Sequence, residues 1–337
     1  MGLPTAFIVA GACACLAAVS APSGPPTAQV QLNAARAQLV ANFAAVQQRC
    51  GCAGDLQARL DSELARTSAP GGSADEAQLL ADLEASLIGQ VTSGLTRELA
   101  PIRGAGATLL HASFDHSLQP LSVFVPPGYE RAKSVPLIVL LHASDESENE
   151  LLASSRLRDL AGRTGALLAV PWARGDSTRE AAVASDVYDA LEAAEKSFAI
   201  DRRRVYLAGV SEGGIAMFRI GPQHAERWTA FLSIAGALTK DDMQDVARAM
   251  RGKQIFLVAG GADTFVKPAY VRAAATWLAN NGVETHYYEE PAGERTLRSL
   301  GDSVERAWQD MLSGIRVTQT APELDIPSPQ PATSRKN

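Results

Sequence analysis

No cluster of lysine or arginine in this chain is dense enough to neutralise a phosphate backbone. The 31 basic residues stand against 37 acidic ones, for a formal charge of −6, and the local run Arg202-Arg203-Arg204 reads as a solvated loop ahead of an apolar stretch. Nucleic acid is thereby excluded as a partner. Charge is missing altogether from residues 2–19, where the apolar run Ala6 to Val19 ends in Val19-Ser20-Ala21, a small-residue cleavage pattern. This is the pattern of a secretory signal, although no Lys or Arg precedes the run. The run is short for an uncleaved anchor, and a lipoprotein signal at Cys13 or Cys15 is a poorer fit to the residues before them. The expected location is secreted or periplasmic, with no stable membrane insertion after signal removal. Cysteine is scarce, four residues in all, and only Cys50 and Cys52 would survive processing. A bridge across one residue closes a very small ring, so a turn disulfide, a pairing with another chain and a redox pair all remain open. A metal site is disfavoured because no second pair of ligands lies nearby in sequence. Neither a metal nor a cofactor is expected.

What is present is the composition of one large α/β domain with additions: 337 residues, 46% of them hydrophobic. We divide the chain into a signal segment (1–21), a helical extension (22–101), an α/β domain (102–316) and a Pro/Ser/Thr-rich disordered tail (317–337). In the extension, Leu32, Leu39, Phe43 and Val46 mark one amphipathic face, Leu56, Leu60 and Leu64 a second, and Leu80, Leu83, Leu87, Val91 and Leu95 a third. Two or three helices follow, readable as a packing or partner-binding appendage. From Thr108 the periodicity is that of strands, starting with a hairpin around Asp115-His116-Ser117. Pro136 to His142 is the continuous apolar run of a strand buried on both faces. Helices and strands then alternate, starting with one helix near Asn149 to Ala161, to predict a doubly wound, mostly parallel eight-stranded sheet, and residues 102–316 are expected to fold without the extension.

The chain is organised around Arg204 to Phe218. An apolar, β-branched and aromatic run of strand length changes to helix formers at Gly209-Val210-Ser211-Glu212-Gly213. Glycines two residues either side of Ser211 let strand and helix approach closely, and the serine sits on a strained turn at the C-terminal edge of the sheet. The helix that follows aims its first N–H groups at the same place, where they favour developing negative charge.

These features resemble the α/β-hydrolase superfamily, in particular secreted esterases such as polyhydroxybutyrate depolymerases and feruloyl esterases, and the related prolyl-oligopeptidase-like domains. The likeness is carried by Val123-Phe-Val-Pro-Pro-Gly-Tyr129, Pro136-Leu-Ile-Val-Leu-Leu-His142, the stretch Phe198 to Gly214, and Val258-Ala-Gly-Gly-Ala-Asp-Thr-Phe-Val266, and it spans residues 108–314. It implies that Ser211 is the nucleophile, Asp263 the triad acid, and the oxyanion donors the N–H of Glu212 and one from the loop beginning at Ala143. The chain departs from the family twice. Ala143 replaces the glycine after His142, and Pro291-Ala-Gly-Glu-Arg-Thr296, where the triad histidine belongs, has none. Of the five histidines, His111, His116, His224 and His286 belong to other elements. His142 ends its strand on the right edge, as a loop-orienting residue or a surrogate base. Glu294 is the other candidate base, since guanidinium stays charged at any working pH. Trp172 and Arg174, in the loop after the strand ending at Val170, are expected to line the substrate pocket. The sequence therefore points to an exported carboxylesterase-type serine hydrolase acting on a small or polymeric ester. The alternatives are a catalytically impaired pseudo-hydrolase that binds a protein partner through its N-terminal helices and, more weakly, a peptidase.

Overall fold

The computed structural model describes residues 27–50, 52–67, 73–175 and 180–314. The signal segment, most of the Pro70-Gly71-Gly72-Ser73 break, Asp176 and the tail from Thr318 lie outside the described residues. The elements run α1 (Ala28–Ala41), α2 (Phe43–Cys50), α3 (Ala53–Thr67), α4 (Ala74–Ser93), β1 (Gly104–His111), β2 (Leu118–Val125), β3 (Val135–Leu141), α5 (Glu148–Ala153), α6 (Ser155–Thr164) and β4 (Leu167–Pro171). They continue with α7 (Glu180–Ser197), β5 (Ile200–Val210), α8 (Glu212–Ile220), β6 (Ala230–Ile234), α9 (Met243–Ala249), β7 (Gln254–Gly260), α10 (Pro268–Asn280), β8 (Glu284–Glu290) and α11 (Gly301–Ser313).

The eight strands form one sheet in the order β1-β2-β4-β3-β5-β6-β7-β8. Strand β2 runs antiparallel to both of its neighbours, and the rest of the sheet is parallel. Alternation sends Leu137, Val139 and Leu141 of β3 into the core on one face of the sheet, and Ile138 and Leu140 into the core on the other. Both sets are apolar because helices cover both faces. The single helix expected over Asn149 to Ala161 is two helices, parted at Ser154. Ser147 starts α5 with a capping box closed by Glu150, so the chain turns abruptly from the end of β3 into helix.

The N-terminal helices do not form a detached appendage. Leu32, Leu39, Leu60, Leu87 and Val91 bury against Leu109 of β1 and Leu118 of β2, while Leu83 of α4 joins the sheet core beside Phe124, Ile138 and Leu151. Between the two layers lies a buried ionic cluster. Arg59 of α3 donates from Nη1 to Glu148 Oε2 (2.7 Å) and from Nε to Glu84 Oε1 (3.0 Å) and Glu63 Oε1 (3.3 Å). Ser147 Oγ donates to Glu63 (3.0 Å), Asn149 Nδ2 donates to Glu84 (2.6 Å), and Ser122 Oγ donates to Asn149 Oδ1. One guanidinium facing three buried carboxylates from α3, α4 and α5 leaves negative charge in excess, and a buried charge without compensation is relieved by protonation. Burial, followed by the Glu84 charge, raises Glu63 well above the ordinary carboxylate range, and burial pushes Glu148 up to about 7.

The folded protein therefore holds a proton that the unfolded chain releases near pH 4. This contribution to stability is complete below that pH and is lost as pH rises through about 7. The melting temperature should fall between pH 5 and pH 8, by a free energy on the order of 3 kcal/mol. In Glu148→Gln the slope should flatten and stability at pH 8 should rise. Calorimetry across that range checks it, and a wild-type profile flat from pH 5 to 8 would remove the shared proton from the account.

Candidate active site

Strand β5 delivers Ser211 to the C-terminal edge of the sheet with φ 52° and ψ −114°, a backbone conformation rarely adopted by a residue with a side chain. The turn is held from both sides. The Ser211 N–H donates to the Ile234 carbonyl at the end of β6 (2.8 Å), and the Ser211 carbonyl accepts from Ile215 N–H in the first turn of α8 (3.1 Å). The flanking glycines are obligatory: a Cβ at Gly209 would sit 2.6 Å from Gly214 N, and one at Gly213 would sit 2.6 Å from the His142 carbonyl oxygen. Gly213→Ala should consequently lose about 1–3 kcal/mol or more, because its contacts are backbone and cannot yield. Gly162→Ala on α6, with open space around the added methyl, should be neutral or stabilising. Urea denaturation of the pair checks the contrast.

Ser211 opens onto two cavities, and Arg295 lines both. One, of about 400 Å³, is mainly apolar and is lined by Ser144, Val183, Ile215, Ile220, Phe265 and Val266 among others. The second, of about 640 Å³, has a mixed lining that includes Ala143, Glu146, Glu150 and Arg156, with Ser73 and Glu76 of the N-terminal extension in its wall. Glu76 Oε1 accepts from both the N–H (2.8 Å) and the hydroxyl (2.7 Å) of Ser155, which fixes that wall to the start of α6.

Asp263 follows β7 on the same edge. Its Oδ1 accepts the N–H groups of Phe265 (2.8 Å) and Val266 (2.9 Å), which orients the carboxylate. Its Oδ2 is buried and has no hydrogen-bond partner among the described residues. The loop after β8 is clamped against this turn: Gly261 N–H donates to the Glu290 carbonyl (2.8 Å) and Ala262 N–H to the Gly293 carbonyl (2.9 Å). A Cβ at Gly260 would come within 2.5 Å of the Gly293 carbonyl oxygen. Arg295 leaves this clamped loop with its guanidinium 4.7 Å from the Phe265 ring centroid.

The other sequence-derived site residues are placed differently from expectation. Glu294 is exposed, gives its N–H to Ser299 Oγ (3.1 Å), and lines neither Ser211 cavity. His142 is buried, with Nδ1 2.7 Å from the Ala143 carbonyl and Nε2 2.9 Å from the Trp172 carbonyl. Both nitrogens face backbone carbonyls and His142 lines neither Ser211 cavity, so the ring is not placed as a base for Ser211; burial holds it below its ordinary pKa against the pull of those two carbonyls. Trp172 and Arg174 line a third cavity, of about 260 Å³, together with Arg59, Cys50 and Cys52. They do not line the Ser211 cavities because β3 separates β4 from β5, which turns the loop after β4 towards the extension. Arg174 is bound there by Asp186 (2.9 Å) and Asp115 (2.6 Å). Cys50 and Cys52 are joined by a disulfide between α2 and α3.

The remaining histidines are elsewhere. His286 is buried in β8, stacked on Phe256 (4.5 Å). His224 lies edge-on to Tyr188 (4.9 Å), His111 ends β1, and His116 is in the hairpin with φ 61°. The buried charged residues that sequence reading missed are Arg59, Glu63, Glu84 and Glu148. Their signal was a charge set inside an apolar stripe, as Glu84 is between Leu80, Leu83, Leu87 and Ile88.

No protein-family model and no curated protein matches the sequence. Solved structures do match the fold. A ferulic acid esterase of the anaerobic fungus Anaeromyces mucronatus aligns at 14% identity and TM-score 0.53, covering 61% of this chain and 89% of its own. The S-formylglutathione hydrolase of Staphylococcus aureus aligns at 12% and 0.51, covering 63% and 98%. A hyperthermophilic esterase of Pyrobaculum calidifontis aligns at 14% and 0.51, covering 64% and 87%. The chain has the α/β-hydrolase fold, and no described helix is long and apolar enough to cross a membrane.

Proposed function

We propose that this chain is an exported carboxylic-ester hydrolase in which Ser211 attacks the ester carbonyl without a histidine base. The observation that carries this reading is a strained serine opening onto two cavities, on the same sheet edge as an oriented carboxylate. The similar folds include enzymes named for ester cleavage, and the uncharged N-terminal run with its small-residue end supports export. In the reaction, Ser211 Oγ bonds to the carbonyl carbon, and the oxyanion is met by the N–H of Glu212 and one from the loop starting at Ala143. The alcohol leaves with a proton, and water then releases the acid from the acyl-enzyme. The Arg295 guanidinium accepts no proton, but its positive charge favours the serine alkoxide over the hydroxyl. Deprotonation then falls to water and hydroxide.

Acylation by p-nitrophenyl acetate should accordingly be slow and rise steadily with pH, without an inflection near the imidazole value of about 6.5. A fluorophosphonate probe should label the wild type slowly and leave Ser211→Ala unlabelled. Failure to label at any pH up to 9 would favour the second reading, a pseudo-hydrolase that binds ligands without turnover, which the cationic Arg295 in the lining of both cavities supports.

A further inference from the structure

We propose that the N-terminal extension is a working part of the hydrolytic centre: Arg59, acting through Trp172 and His142, positions the Ala143–Ser144 peptide beside Ser211. The inference rests on the ester-hydrolase reading above. Arg59, Trp172 and His142 form a three-layer stack. The Arg59 guanidinium carbon lies 5.2 Å from the Trp172 ring centroid, and the Trp172 ring lies 5.2 Å from that of His142 at an interplanar angle of 16°. On the far side of the stack, His142 Nδ1 is 2.7 Å from the Ala143 carbonyl oxygen, and Nε2 is 2.9 Å from the Trp172 carbonyl oxygen.

A neutral imidazole donates from one nitrogen only, and in the Nδ1–H tautomer it donates to the Ala143 carbonyl, so that the plane of the ring fixes the direction of that carbonyl. A trans peptide is planar, so the N–H of the next residue points opposite to that carbonyl. Fixing Ala143 O fixes the aim of Ser144 N–H. Ala143 and Ser144 line the two cavities that meet at Ser211, so this peptide borders the place where an ester oxyanion would form. The Ala143 carbonyl also accepts from Glu146 N–H at 3.2 Å, which holds the turn but leaves the ring to set its tilt.

Arg59 is suited to anchor the stack because it cannot drift. Its nitrogens are held by Glu63, Glu84 and Glu148 on three different helices, and its side chain is 3% exposed. A buried ion cluster of this kind is poor evidence of added stability, since apolar residues of similar volume often do as well. Its specific product here is a guanidinium plane at a fixed height over Trp172, and a cation in that position attracts the ring face. Removal of the extension would leave Trp172 and His142 stacked on nothing.

The test uses the whole chain. Trp172→Leu removes the middle of the stack, keeps the backbone carbonyl that meets His142 Nε2, and leaves the carboxylates around Arg59 untouched. A misaimed oxyanion donor should lower kcat for p-nitrophenyl acetate by at least about tenfold, with KM unchanged within about twofold. Trp172→Phe, which keeps a ring, should recover most of the loss. Arg59→Lys keeps the charge and loses the plane, and should shift the His142 ring resonances in nitrogen–proton spectra, as Trp172→Leu should. A folded Trp172→Leu protein with wild-type kcat, or with unmoved His142 resonances, overturns the proposal, whether or not Arg59→Lys folds. If the wild type turns over no ester, the ester-hydrolase reading falls by itself. The proposal is then decided by the amide resonance of Ser144, on which the Trp172 ring does not stack: movement in Trp172→Leu that Trp172→Phe largely reverses supports it, and constancy overturns it.

Discussion

Arg295→His is expected to raise the acylation rate of Ser211 by about 10²- to 10⁴-fold, the range that a positioned general base supplies. The backbone for this gain is already in place. The loop bearing residue 295 is fixed to the Asp263 turn by hydrogen bonds from Gly261 and Ala262, and the side chain at 295 borders both cavities that Ser211 opens onto. An imidazole there would find Asp263 Oδ2 buried and without a partner. That oxygen can accept the Nδ1–H, select the tautomer and stabilise the imidazolium formed during attack. The pH profile of acylation should acquire an inflection near 6.5 that the wild type lacks. Adding Asp263→Asn to the variant should cancel most of the gain, because the amide can no longer orient the ring. Stopped-flow measurement of p-nitrophenol release follows all three proteins. If the histidine variant is folded and no faster than wild type, the loop does not deliver its side chain to the serine, and the absence of a histidine is not what limits the site.

The parts of this centre that were legible in the sequence are those written in local patterns. The elbow could be read because the period changes from strand to helix within five residues and because its glycines lie where backbone atoms touch. Asp263 could be read because it follows a strand and a Gly-Gly-Ala turn. The failures were of two kinds. Ser154, which parts α5 from α6, is equally compatible with the interior of one helix, so no local signal marked the break. Trp172 and Arg174 were placed on the correct sheet edge but on the wrong side of it, because strand order is a property of the whole sheet. With β3 lying between β4 and β5, the loop after β4 meets the extension instead of the serine. The leucine periodicity of residues 32–91 revealed helices but not the surface that they cover. Glu84 stands out as a charge inside an apolar stripe, but Arg59 and Glu63 look like ordinary surface charges until α5 brings Glu148 against them.

Removing the extension, by starting the chain at Ile102, is expected to abolish cooperative folding altogether, contrary to the expectation that residues 102–316 are self-sufficient. The helices α1 to α4 do not rest on a polar surface. They cover Leu109 and Leu118 on the β1–β2 hairpin, and Leu83 closes the core over Phe124 and Leu151. Returning such side chains to water costs about 1.5–3 kcal/mol each, and four of them approach the whole stability of a typical domain, about 5–15 kcal/mol. The hairpin has a second weakness, since β1 is an edge strand held by β2 alone on the sheet side. The ionic cluster adds little to this loss: without Arg59 the Glu148 carboxylate regains water, which removes its need for a partner. The deficit is apolar, so it should not be repaired by raising pH or salt. Urea titration of the Ile102 fragment, followed by circular dichroism, should show a shallow drift with no sigmoidal transition and should be accompanied by binding of a hydrophobic dye. A steep transition, with a slope in proportion to the length of the fragment, would show that the sheet and its own helices make a complete core, and that the extension is a separable addition after all.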